Sequence, residues 1–457
     1  MAEQFDAIVI GMGPGGEVAA SRLIDAGKRV AVVERELIGG ECGYWACIPS
    51  KTLLRSPEAR YESRQAAGLA EPDLDWPALR DYRDAMIRHL DDHRQVQGYE
   101  DLGATVVKAG ARVVGREPWT VEAGDRTLSA EHLVLATGSA AFRPPIDGLE
   151  TVDPWTNREA TTLTEIPRRA VLVGGSAVGT ELGHFLARMG TRVAIVERGP
   201  RPLGREEPRV GDLADWHLSQ AGVDVRTEAR VEAVRKEVGE TVVTLDDGRE
   251  IRTDVLILAT GRVPRVDGLG LEDLGVPVER PDGRAGIPVD EHCEVAEFPR
   301  LWAVGDVTGV AMFTHVAKYQ GRVAADTILG RPRTADYTGV PRVVFAQPEI
   351  AAVGLTSEQA RNAGMDVVSS EVDLTAALAK PWTFDTEPAG TLGLVADRRR
   401  RVLVGAWAVS PMAGEFIHTA ATAVRAELPI DVLLDGIAQF PSYNEGFLAA
   451  AEQLDLD

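Results

Sequence analysis

Cysteine is scarce in this chain of 457 residues, which holds three: Cys42, Cys47 and Cys293. A small module stapled by disulfides is thereby excluded. In a reducing compartment two cysteines five positions apart are more often catalytic or metal-binding than structural. Basic charge is also short. With 49 Lys and Arg against 70 Asp and Glu the net charge is −21, which repels a phosphate backbone and argues against nucleic acid as a partner. No apolar run approaches the ~18 residues that span a bilayer, so no membrane partner is expected. The opening Met-Ala-Glu-Gln-Phe-Asp has neither a basic segment nor a cleavable apolar leader, and a cytoplasmic location is the expectation. What remains is an ordinary globular composition, 44% hydrophobic and 26% charged, with length for roughly three domains of ~150 residues.

Residues 6–16 read Asp-Ala-Ile-Val-Ile-Gly-Met-Gly-Pro-Gly-Gly, an apolar strand and then Gly11, Gly13 and Gly16 in G-x-G-x-x-G spacing, followed by a helical pattern over 17–27. Such glycines turn the chain tightly, let backbone N–H groups approach a pyrophosphate and let the helix pack on the strand. A second strand, Val30 to Val33, ends in Glu34, 23 positions after Gly11, where a carboxylate accepts hydrogen bonds from ribose hydroxyls.

The arrangement recurs. Val171-Leu172-Val173 leads into Gly174, Gly175, Ser176 and Gly179, then a helix to Met189, a strand and Glu197. Ser176 stands where the middle glycine is expected. Glu197 favours a free 2′-hydroxyl and hence NAD(H) over NADP(H), although Arg198 and Arg201, suited to a 2′-phosphate, follow directly. Leu133 to Ser139 and Val255 to Arg262 echo each other, apolar strands closing in Ala-Thr-Gly. A third strand-turn, Leu301 to Val307, carries Asp306, placed to bond a ligand hydroxyl, to cap the apolar helix expected to follow from Phe313 to Leu329, or both.

Gly39 to Lys51 reads Gly-Gly-Glu-Cys-Gly-Tyr-Trp-Ala-Cys-Ile-Pro-Ser-Lys. On a regular helix five residues turn roughly 500° and rise about 7.5 Å, which separates the sulfurs too far to bond. Cys42 is therefore expected on a distorted turn, with Cys47 near the start of a helix to Arg55, whose free N–H groups would lower the thiol pKa. Zinc would need two further soft ligands, and no metal site is expected.

Taken in order, Gly11 to Gly16, Cys42 and Cys47 ending in Pro49-Ser50-Lys51, Ala136-Thr137-Gly138, Gly174 to Gly183, Ala259 to Arg262, Gly305-Asp306 and Phe440 to Glu445 resemble the pyridine nucleotide-disulfide oxidoreductases. That group contains dihydrolipoamide dehydrogenase, glutathione reductase and mercuric reductase, and the resemblance runs end to end. It implies an α/β protein with two Rossmann-like nucleotide-binding domains, for FAD and NAD(P), plus an α+β C-terminal dimerisation domain. The corresponding spans are 1–150 and 271–336 for FAD, 151–270 for NAD(P) and 337–457 for the interface of a homodimer. FAD would meet Gly11, Gly13, Gly16, Glu34, Lys51, Gly115, Thr137, Gly138, Asp306, Thr314 and His315. The pyridine nucleotide would meet Gly174, Gly175, Gly179, Glu197 and Gly261. The resemblance puts Lys51 beside flavin N5, paired with Glu181, where a cation favours the reduced cofactor and needs a counter-charge; otherwise the two are surface helix charges. Nicotinamide and disulfide would lie on opposite flavin faces, Cys47 nearer the flavin and Cys42 exchanging with substrate. Cys293 matches no role and is expected to be a packed or partly exposed thiol.

One position departs from the pattern. Thiol-reducing members carry His-Pro-x-x-x-x-Glu, whose histidine protonates the leaving thiolate; here the run is Phe440-Pro441-Ser442-Tyr443-Asn444-Glu445. Losing such a group costs ~10²- to 10⁴-fold, so either the acceptor needs no such proton, or Tyr443, Glu445 or His315 supplies it, with core packing the competing role for Tyr443. Mercuric reductase also lacks the histidine but uses carboxy-terminal cysteines; this chain ends Ala-Glu-Gln-Leu-Asp-Leu-Asp, which speaks against mercury. Soluble transhydrogenases lack the complete cysteine pair found here. Arg398 to Arg401 read as a solvated turn, and residues 75–98 as one long polar helix bearing Arg88, His89 and His93. Tyr44, Trp45, Phe440 and Tyr443 suggest an apolar or aromatic acceptor pocket.

The expectation is a homodimeric FAD- and NAD(P)H-dependent reductase with a catalytic set of Cys42, Cys47, Lys51, Glu181, Glu445 and Tyr443. Its acceptor would be a small molecule, a disulfide first. Phe440 motivates an alternative in which the flavin directly reduces a quinone, metal ion or oxygen. A third reading, a docked subunit of an acyl-transferring assembly, finds no docking segment.

Overall fold

A computed structural model describes residues 2–278 and 286–457. They fall into two compact units, Met1–Pro49 with Asp81–Phe142 and Gly261–Asp336, and Ser50–Arg80 with Arg143–Thr260 and Tyr337–Asp457.

The first unit is built on a seven-stranded sheet whose parallel part runs Thr105–Val107, Val30–Val33, Glu3–Ile10, Arg126–Leu135, with Leu301–Ala303 on the far side of Arg126–Leu135. Trp119–Ala123 and Ala111–Arg116 extend it as an antiparallel meander. Period-two alternation sends Ile8 and Ile10 to one buried face and Ala7 and Val9 to the other. A strand covered on both sides reads as the continuous apolar run seen in the sequence. The helices Pro14–Asp25 and Thr314–Ile328 cover one face, with Gly321 so close to the Gly15 carbonyl that a Cβ would stand 2.5 Å from its oxygen.

The second unit holds a four-stranded parallel sheet in the order Asp224–Arg226, Arg192–Val196, Arg169–Val173, Val255–Leu258. A three-stranded antiparallel sheet accompanies it. A five-stranded antiparallel sheet, Pro341–Val344, Glu349–Gly354, Val402–Ser410, Thr391–Asp397, Val367–Asp373, packs against the helix Ala413–Arg425 through Phe416, Ile417 and Ala420.

Two local expectations change. The single helix over 75–98 is two, Trp76–Met86 and His93–Asp101, because Arg88, His89 and Leu90 take left-handed φ of 53°, 52° and 58°. The helix Thr314–Ile328 has Phe313 at its N-cap, so Asp306 does not cap it and sits in the short turn Gly305–Thr308. Cys293 is wholly buried in the first unit's core with φ of 69°. Among the described residues no helix is long and apolar enough to cross a membrane.

Candidate nucleotide and redox sites

In the first unit the parallel strands end level, Ile10 opposite both Val33 and Leu135, and Leu135 opposite Ala303. The next residues are therefore Gly11, Glu34, Ala136-Thr137-Gly138 and Val304-Gly305-Asp306, gathered at the carboxyl edge where open α/β sheets bind ligands. Gly11 has φ of 94°, and a Cβ there would stand 2.4 Å from the Ala136 oxygen; on Gly16 it would stand 1.9 Å from the Gly11 oxygen. At Gly13 nothing lies within 4 Å of the same position, and the helix behind it has no side-chain cap. The turn thus closes on itself everywhere except at the helix N-terminus, whose free N–H groups suit a pyrophosphate. The residues present fit a bound dinucleotide.

Glu34 is buried and accepts hydrogen bonds from the Met12 and Glu36 N–H groups, each at 2.7 Å. The second unit repeats this atom for atom: Glu197 accepts from the Gly175 and Gly199 N–H groups, each at 2.7 Å. Each acid is anchored to its own glycine turn, which holds its charge at the strand end and keeps its outer lone pairs for a ligand. Gly174, with φ of 105°, and Gly179 are close-packed as Gly11 and Gly16 are, Cβ positions lying 2.6 Å from the Ala259 oxygen and 2.0 Å from the Gly174 oxygen. Ser176 replaces glycine because its hydroxyl caps the helix Ala177–Arg188, accepting from Gly179 N–H at 3.4 Å and donating to the Ala259 carbonyl at 2.8 Å. Arg201 is paired with Asp212 at 2.9 Å.

Asp306 belongs to a network that sequence reasoning missed. The Ser139 hydroxyl donates to its carboxylate at 2.5 Å, and Arg262 donates to that hydroxyl at 2.6 Å and to the Ser139 carbonyl at 2.9 Å. Burial pushes the Asp306 carboxyl up, and Ser139 and Arg262 oppose it. Arg265 and Arg262 also reach Glu41, at 3.4 and 3.8 Å, tying the turn before Cys42 to the same edge. Thr137 donates to the Arg265 carbonyl at 2.6 Å, and Gly138 turns with φ of 72°. The signal was the residue following each Ala-Thr-Gly, Ser139 and Arg262, each of which opens one strand of the short ladder Ser139–Ala141 with Arg262–Pro264.

Cys42 lies in a one-turn helix, Gly40–Tyr44, and Cys47 opens a separate one, Cys47–Gln65. The break at Trp45-Ala46 brings the two thiols within hydrogen-bonding reach of each other and of Thr314. Cys47 Sγ stands 3.2 Å from the Thr314 hydroxyl, so Thr314, expected at the flavin, also touches the cysteine pair. At Cys42 the neighbouring Cys47 thiol and burial push the thiol pKa up. His315 is exposed and stacks on Phe313, centroids 5.3 Å apart.

Lys51 follows Cys47 by one helical turn. In the second unit its Nζ lies 2.7 Å from Glu181 Oε2 and 4.6 Å from the Phe345 ring centroid, and Glu181 Oε1 accepts the Phe345 N–H at 2.9 Å. Glu181 is buried, so this is a partly desolvated pair and not two surface charges.

Two expectations are corrected. Tyr443 is packed in the core, its ring stacked on Phe416 at 5.6 Å and its pKa pushed up to about 12 by burial, so it cannot give and take protons near neutrality. Tyr44 is likewise fully buried and lines no acceptor pocket. Gly115 serves its own hairpin, at a register shift where a Cβ would press on Thr120 at 3.3 Å. Glu445 accepts the Ser442 N–H at 2.9 Å, whereas Phe440 is 66% exposed. Arg398 to Arg401 are each ion-paired, as a solvated turn requires.

Residues 5–321 match the family model described as pyridine nucleotide-disulphide oxidoreductase, and residues 340–451 match that family's dimerisation domain. A mercuric reductase of Streptomyces lividans is 34% identical over 99% of this chain and 97% of its own length. A dihydrolipoyl dehydrogenase of Thermus scotoductus is 34% identical over 98% and 97%. Among solved structures, the HOCl-induced flavoprotein disulfide reductase RclA of Escherichia coli superposes with a TM-score of 0.87 at 26% identity, covering 98% of this chain and 99% of that one; RclA also has a solved Cu(II) complex. The level strand ends, the two anchored acids and the paired cysteines, with these matches across nearly the whole length, make this chain a member of the FAD-dependent pyridine nucleotide-disulphide oxidoreductase family.

Proposed function

We propose that this enzyme carries two electrons from NAD(P)H through FAD to a Cys42–Cys47 disulfide and on to a small disulfide. The observation that carries the reading is the approach of the Cys42 and Cys47 thiols to each other and to Thr314. The net reaction balances as NAD(P)H plus a proton plus R–S–S–R giving NAD(P)+ and two thiols. FAD, when bound, supplies the hydride-accepting centre between nucleotide and disulfide. Gly11, Gly13, Gly16, Glu34, Thr137, Gly138, Asp306 and Thr314 would hold it. Gly174, Gly175, Gly179, Glu197 and Gly261 would hold the nucleotide, and the anionic Glu197 supports NAD(H). Lys51, neutralised by Glu181, would supply the cation that favours the reduced cofactor. Cys42 is pushed up by the Cys47 thiol and by burial, so a base must take its proton before its sulfur attacks R–S–S–R, and the departing thiolate takes up a proton in turn. Glu445 would supply the acid/base function that Phe440 cannot. A homodimer supports this reading, because Ile437, Phe440 and Trp382 of the second unit are exposed apolar residues.

Steady-state assay with NADH and a panel of small disulfides tests the proposal. Turnover abolished by Cys42→Ser supports it, and turnover unchanged by that substitution contradicts it. A second reading, a metal-ion acceptor, is favoured by the mercuric reductase relatives and by the Cu(II) complex of RclA, together with Phe440. It predicts NADH-dependent Cu(II) reduction exceeding disulfide reduction in the same assay.

A further inference from the structure

His184 lies one turn beyond Glu181 on the helix Ala177–Arg188 and is 3% exposed. Its Nδ1 stands 3.2 Å from the Gln347 backbone nitrogen, positioned to accept that N–H. Glu181 takes the N–H of Phe345 at 2.9 Å. Two acceptors one helical turn apart therefore hold two alternate N–H groups of the segment that follows the strand Pro341–Val344. That segment carries the Phe345 ring, whose centroid is 4.6 Å from Lys51 Nζ, and Lys51 closes the circuit on Glu181 at 2.7 Å. From these contacts we propose that His184 is a positioning residue for Lys51: by pinning Gln347 it keeps Phe345 over the Lys51 ammonium and its N–H on Glu181. The functional weight of this clamp rests on the reading of Lys51 given above.

The chemistry of the ring supports the assignment. Burial, and then the Arg188 guanidinium, hold the imidazole pKa at about 3, so the ring is neutral and accepts at one nitrogen only. Arg188 Nε approaches Nε2 at 3.1 Å, which makes two donors for one acceptor. Arg188 borders a cavity of about 240 Å³, shared with Lys51, Glu58, His184, Phe345 and Gln347. The clamp requires the tautomer with its proton on Nε2, which leaves Nδ1 to accept the Gln347 N–H.

Phe345 shields the Lys51 amine, so the clamp is readable as amine reactivity. The test is pH-dependent labelling of Lys51 by trinitrobenzenesulfonate, followed by peptide mapping on the full-length protein with and without FAD, with Lys380 as internal standard. His184→Asn places an amide acceptor where Nδ1 was and should label as the native protein does. His184→Gln carries its amide where Nε2 was and should label Lys51 roughly fivefold faster, as should His184→Leu, which has no acceptor. Phe345→Leu alone should give the same rise, with no further rise on adding His184→Gln. Equal labelling of the Asn and Gln variants would overturn the proposal, and this pair remains informative if the Leu variant does not fold. Labelling of flavin-free protein tests the clamp alone. If the clamp is seen but FAD gives Lys51 no protection, the flavin reading of Lys51 fails and the clamp stands.

Discussion

Around Gly11 and Gly16, single backbone atoms leave no space for a side chain. A methyl group on Gly16 would fall 1.9 Å from a backbone oxygen, so the turn must open to admit it. Gly16→Ala should cost about 2 kcal/mol or more and release flavin, measurable as a lowered Tm and a lost 450-nm-region absorbance. Glu197 accepts two N–H groups at the end of its strand. Glu197→Ala should raise KM for NADH roughly tenfold while kcat changes little, and should narrow the preference over NADPH; an unchanged ratio between the nucleotides contradicts the assignment. The glycines and both acids were legible because their spacing is local. The Ser139–Asp306–Arg262 network was not, since its members are brought together by strand pairing across more than a hundred residues. Tyr443 was legible only as a polar residue in the right motif; its stacking on Phe416 decides its role, and stacking leaves no sequence trace.

At the scale of elements, the helix Ala177–Arg188 concentrates much of the second unit's design, with the Ser176 cap at its start, Glu181 in the middle and His184 a turn later. Ser176→Ala should lower stability by about 1 kcal/mol through the lost cap, read by denaturant unfolding. His184 makes this element sensitive to acid. Its folded pKa, about 3, lies below the ordinary ~6.5, so the unfolded chain binds the proton more readily in between. The stability it contributes is complete above pH ~6.5 and is lost as pH falls toward 3, with a slope of at most about 1.4 kcal/mol per pH unit. His184→Asn should flatten that slope, and an unaltered slope would place the sensitivity elsewhere. Helices and strands with strong apolar periodicity were read within a few residues of their ends. The left-handed turn Arg88 to Leu90 was not, because it contains neither glycine nor proline to mark the break.

At the scale of the whole molecule, the two glycine-turn sheets, the cysteine turn and the dimerisation domain form one electron path only if the disulfide takes part in it. Exposed Ile437, Phe440 and Trp382 should be covered in a homodimer, and Ile437→Lys should shift the mass found by light scattering toward the monomer. The resemblance in motif order was enough to assign the family, whereas the acceptor was not legible, since Phe440 stands where the usual acid would. The most direct test is anaerobic titration with NADH of the native enzyme and Cys42→Ser, followed by flavin absorbance. The native enzyme should consume about two equivalents per flavin before full bleaching and the variant about one, because the disulfide stores the second pair of electrons. Equal consumption of one equivalent by both would show that the cysteines stand outside the path and would contradict the account.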